Sequence, residues 1–83
     1  MNTKEKITYI RSVSTPAGLS FRTLGKKYVQ GKSAYDFVDT TTREIKIEAC
    51  NVPQAFKLVK SGLIASYDKT TGEFKTIEAQ DNV

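Results

Sequence analysis

The chain contains one cysteine, Cys50, and no histidine, so neither an internal disulfide nor a Cys/His zinc site can hold it together. Its 83 residues must fold on apolar burial alone. At that length roughly 60% of the unfolded chain's surface can be buried, which leaves a thin core. A single domain covering 1–83 is the expectation, with four Tyr and four Phe as its bulkiest core material and 80–83 as a fraying tail.

The same two absences bound the chemistry. Ser-His-Asp and Cys-His catalysis are excluded within one chain. Gly18, Gly25, Gly31, Gly62 and Gly72 are too dispersed to build a phosphate loop. Glu44 and Glu48 look like solvated strand positions rather than an acid/base pair. Cys50 reads as a small buried apolar residue rather than a reactive thiol. A binding module without catalytic residues, cofactor or metal is expected. No apolar run approaches the roughly 18 residues of a membrane span, and no apolar segment follows Met1–Lys6 as in a signal peptide. The default is a cytoplasmic protein with no membrane partner.

The C-terminal half predicts a strand, a helix and a hairpin. Residues 43–49 alternate polar and apolar as a half-buried strand. Asn51 is a helix N-cap, Pro53 lies in the first turn, and Ala55, Leu58 and Val59 follow at helical spacing. Lys57 and Lys60 favour the helix C-terminus, and Gly62 ends it. Leu63–Tyr67 and Glu73–Ile77 then read as two strands around the Asp68–Gly72 loop.

That loop has an echo. Asp39-Thr40-Thr41-Thr42-Arg43-Glu44 and Asp68-Lys69-Thr70-Thr71-Gly72-Glu73 share the pattern Asp-x-Thr-Thr-x-Glu. Shared turn chemistry is the favoured explanation, and it makes Ser33–Val38 a strand leading into a turn. The N-terminal third stays open. Lys6–Val13 has strand composition, yet Ile7, Ile10 and Val13 recur every third residue behind Thr3, a candidate cap for a helix starting at Lys4. Ser20 is a sensible N-cap for a helix over Phe21–Tyr28, where Phe21, Leu24 and Tyr28 form a stripe. The fold class is therefore α+β, with an N-terminal part that is either helix-turn-helix-like or an additional helix plus hairpin.

Charge is unevenly distributed. Residues 1–38 carry a net +5 and residues 39–83 a net −1. A polyanion-binding face needs such an excess, because phosphate neutralisation supplies most non-specific affinity for nucleic acid.

Gly18-Leu19-Ser20-Phe21-Arg22-Thr23-Leu24-Gly25-Lys26-Lys27-Tyr28, followed by Gly31-Lys32-Ser33-Ala34-Tyr35-Asp36-Phe37-Val38, resembles the helix-turn-helix segments of transposases and small phage or bacterial regulators. The resemblance implies that Gly25 sits at a helix crossing and that Leu24, Tyr28, Tyr35 and Val38 seal the pair. It implies further that Arg22, Lys26, Lys27 and Lys32 contact phosphates, with Gln30, Ser33 and Asp36 closer to bases. Departures from the pattern are Val29 and Gln30 at the turn and the negative charge of Asp36. Residues 55–64 with the Asp68–Gly72 loop also look like the end of a winged helix and its wing.

Two functions follow as expectations. One is a small DNA-binding regulatory protein of phage or mobile-element origin. The other is a protein-binding inhibitor or adaptor that touches a host protein and no nucleic acid. A dimer would extend the thin core in either case.

Overall fold

The computed structural model describes residues 1–75, apart from the side chains of 24–27. Its elements run α1 (Thr3–Ala17), β1 (Leu19–Val29), β2 (Lys32–Asp39), β3 (Ile45–Cys50), α2 (Val52–Lys60), a 3-10 turn (Ile64–Ser66), β4 (Tyr67–Asp68) and β5 (Glu73–Phe74). The expected strand, helix and hairpin are present in the C-terminal half, and the N-terminal part is the helix-plus-hairpin alternative. The fold is a mixed α+β domain.

Helix α1 forms where the three-residue recurrence of Ile7, Ile10 and Val13 outweighs strand composition. Asn2, one residue before the expected cap, accepts from the Glu5 N–H at 2.8 Å, and Glu5 accepts in return from the Asn2 N–H at 3.0 Å. This reciprocal capping box fixes the start of the helix at Thr3. Pro16 falls in the last turn, and Gly18 closes the helix in the left-handed region. Helix α2 begins as expected, with Asn51 and Gln54 forming the same box and Pro53 in the first turn.

The helix expected over Phe21–Tyr28 is a strand, and so is the candidate recognition segment Ser33–Val38. Both helices required by the helix-turn-helix resemblance are replaced by one antiparallel hairpin. The physical reason lies at its tip. Gln30 and Gly31 have φ of 51° and 77°, and Val29 pairs with Lys32 across them. Two successive positive φ values give the turn whose twist matches paired strands. Alternation then outweighs the i, i+3, i+7 stripe. Leu19, Phe21 and Thr23 face the same side as their partners Asp39, Phe37 and Tyr35. Gly25 marks the irregularity between Thr23 and Tyr28 rather than a helix crossing.

Strand β2 is central, in the order β1-β2-β3, and β4 pairs with β5 separately. The core lies between one sheet face and the helices. Phe21, Phe37, Leu19 and Cys50 from the sheet meet Ile10 from α1, Val52, Ala55 and Val59 from α2, and Ile64 and Tyr67 beyond it. Cys50 is buried as expected, and burial pushes its thiol up to about 11, so it stays protonated at neutral pH. Leu63–Ser66, expected as strand, winds into the 3-10 turn because the Ser66 N–H bonds back to Gly62 and Leu63 carbonyls while Ile64 enters the core. Of the segment that looks like the end of a winged helix, residues 55–60 lie on α2 and the hairpin is the short β4–β5 pair, with the 3-10 turn between them. Residues 76–77 of the expected last strand and the tail 80–83 lie outside the described residues. Among the described residues no helix is long and apolar enough to cross a membrane.

The echo is structural. Asp39 Oδ1 accepts from the Thr41 and Thr42 N–H groups, and its carbonyl accepts from the Arg43 N–H. Asp68 repeats this with the Thr70 N–H on Oδ1 and the Gly72 N–H on its carbonyl. Arg43 and Gly72 occupy equivalent places, with φ of 67° and 76°. Only the second copy carries glycine where an L side chain is strained. Arg43→Gly should therefore stabilise the domain by about 1 kcal/mol, the cost of a left-handed non-glycine residue less the added chain entropy. Urea unfolding checks it: an unchanged or lower midpoint would mean that the Arg43 side chain contributes more than its backbone costs.

Candidate nucleic-acid interface

The β1–β2 hairpin gathers most of the residues expected to meet nucleic acid, in a different geometry from the one the resemblance implied. Lys32 and Ser33 are exposed at the start of β2, and Gln30 stands at the tip of the turn. Tyr28, expected to seal a helix pair, is instead 67% exposed opposite Ser33. Lys26 and Lys27 lie on β1, with side chains outside the described residues. Arg22 is on the sheet face turned away from the helices, and its side chain is half exposed.

Asp36 changes meaning most. It was expected near bases, where its charge would oppose DNA, but it is completely buried on β2. Its Oδ1 lies 3.7 Å from Arg22 Nε, and neither carboxylate oxygen has a hydrogen-bond donor. Asp36 is also the only carboxylate between Lys6 and Val38. The hairpin therefore exposes cations without exposing an acid. Not every cation of the basic half is available. Arg11 donates from Nε and Nη2 to the Phe21 carbonyl, at 3.3 and 3.2 Å, and so ties α1 to β1.

Two clefts flank the hairpin. The first, about 190 Å³, is lined by Thr3, Lys6, Lys32, Ser33, Tyr35, Val52 and Pro53. The second is lined by Ser20, Arg22, Val38, Asp39, Thr40 and Arg43. Thus Lys32 and Ser33 join Lys6 and Thr3 from α1, while Arg22 joins Arg43 from the Asp39 turn. Lys6, Thr3 and Arg43 were not among the expected contact residues. Lys6 belonged to the basic excess, but nothing in the sequence places α1 beside the start of β2. Among the described residues no group of three or more Cys, Asp or Glu side chains is arranged to hold a metal ion.

No known protein family, curated protein or solved structure matches the chain.

Proposed function

We propose that this protein binds DNA through its basic β1–β2 hairpin, used as a two-stranded ribbon. The observation that carries the reading is the burial of Asp36 against Arg22, which leaves the hairpin's exposed charge entirely cationic. A two-stranded ribbon fits the DNA major groove in the way a recognition helix does. Arg22, Lys26, Lys27 and Lys32 supply phosphate contacts. Gln30 at the tip and Ser33 are the side chains that reach furthest toward base edges. Exposed Tyr28 offers an aromatic face on which an unpaired base can stack.

The expected result is a steep salt dependence. Four phosphate contacts give a log–log slope near −3.6, so raising salt from about 50 to about 200 mM should weaken duplex binding roughly a hundredfold. Fluorescence anisotropy with a labelled duplex measures it. Joint replacement of Lys26, Lys27 and Lys32 by alanine should flatten the slope by close to three contacts. Absence of duplex binding even at low salt would sink the proposal.

A second reading has its own support. Ile45 is 48% exposed on β3, an edge strand of the sheet, where a protein partner could add a strand. It predicts a stoichiometric partner recovered from host extract after nuclease treatment and lost with Ile45→Lys.

A further inference from the structure

We propose that the cleft between the starts of α1, β2 and α2 is a binding site for a single phosphate group. Two ammonium groups, Lys6 and Lys32, and two hydroxyls, Thr3 and Ser33, line it, over an apolar floor of Tyr35, Val52 and Pro53. No carboxylate lines it, and neither lysine has an acidic partner among the described residues. The Lys6 ammonium stands 5.4 Å from the centre of the Phe56 ring, a neutral neighbour that holds the side chain without cancelling its charge. Two like charges lining one cleft repel each other until an anion joins them.

Size narrows the ligand. At about 190 Å³ the cleft falls below the range of roughly 300–1,000 Å³ typical of whole small-molecule sites. It takes a phosphate with part of its sugar, not a whole nucleotide.

The contrast with the second cleft supports the assignment. That cleft has two guanidinium groups, but Asp39 lines it and buried Asp36 sits behind Arg22, so its charges are balanced. Among the described residues the first has no such compensation. Its positive field is strengthened because Thr3 and Val52, the first residues of α1 and α2, bring two helix N-termini to its wall.

The phosphate can belong to a nucleic-acid backbone or to a free ester, and the socket stands independently of the hairpin reading. The test is a titration of the full chain with inorganic phosphate at constant low ionic strength, followed by amide chemical shifts, with chloride as the control. Saturable shifts at Thr3, Lys32, Ser33 and Val52 are expected. Lys6→Gln and Lys32→Gln should each weaken phosphate roughly fivefold. Ser33→Asp, which adds a carboxylate, should abolish binding even if one lysine variant fails to fold. Lys57→Ala, exposed on α2 and outside the cleft, should leave the titration unchanged.

A labelled duplex then separates the sources. If it shifts the same amides and Lys6→Gln weakens it, the phosphate is a backbone phosphate. Phosphate binding without duplex binding would keep the socket, assign it to a free ester and remove the hairpin reading. Duplex binding with cleft amides silent to both probes would remove the socket alone. Shifts that do not saturate, or that chloride reproduces, would also overturn it.

Discussion

Phe37→Ala is expected to unfold most of the domain at physiological temperature. Phe37 is fully buried on the central strand, and its ring lies 4.8 Å from that of Phe21, its cross-strand partner. Phe21 stacks in turn on Tyr35 at 4.5 Å, with the rings almost parallel. Removing Phe37 opens a cavity on the core side of the hairpin, and such truncations cost about 3–5 kcal/mol. A chain of this length has a total stability of roughly 4–12 kcal/mol. With a single cysteine and so no internal disulfide, the loss is a large share of what holds the fold. Circular dichroism melts should show a broad, non-cooperative transition. Tyr28→Ala, on the same hairpin but exposed, should stay within about 0.5 kcal/mol of the parent. A cooperative Phe37→Ala melt within a few degrees of the parent would place the main core elsewhere.

The sequence was most legible where local chemistry acts alone. Asn51, Pro53 and Gly62 bracket α2 because capping and chain termination depend on neighbours within a few residues. The repeated Asp-Thr-Thr pattern predicts two like turns for the same reason, and the Asp39 and Asp68 hydrogen bonds match. Leu19–Asp39 was harder. Phe21, Leu24 and Tyr28 satisfy a helical period, while Leu19 and Phe21 also satisfy an alternating one. The decision came from pairing with Tyr35, Phe37 and Asp39, residues 12 or more positions away. A local cue was present in Gln30-Gly31, a two-residue hairpin tip, but glutamine is a less familiar occupant of its left-handed place than asparagine or aspartate. The basic face was legible as charge and illegible as geometry. Burial of Asp36 and the meeting of Lys6 with Lys32 both depend on tertiary placement, which periodicity does not encode.

Tyr67→Phe is expected to change stability at both ends of the pH scale, because one buried hydrogen bond joins the two like turns. The Tyr67 hydroxyl donates to Asp39 Oδ2, while Asp39 Oδ1 accepts the Thr41 and Thr42 N–H groups at 2.7 and 2.9 Å. The Tyr67 bond, followed by the Thr42 N–H, holds the Asp39 carboxyl below its ordinary range. Its contribution is therefore present above the unfolded carboxyl pKa near ~3.9 and is lost as pH falls through the lower folded value. Tyr67 moves the other way. Burial first, and then the bond to Asp39, push its phenol up to about 12. That contribution is complete below the unfolded pKa near ~10 and disappears as pH climbs through the folded value. The phenylalanine variant has no phenol to titrate, so its alkaline loss over this range should shrink. Its acid limb should flatten too, because the largest cause of the Asp39 shift is gone. At neutral pH its Tm should fall by roughly 5–10 °C, since a buried carboxylate loses one donor. Asp39→Ala should cost more, because it leaves the Tyr67 hydroxyl and two turn amides without their acceptor. Adding Tyr67→Phe to Asp39→Ala should then cost little further, since the bond is already broken. Fully additive losses would show that the two turns are stabilised separately, with the Tyr67 hydroxyl acting other than through its bond to Asp39.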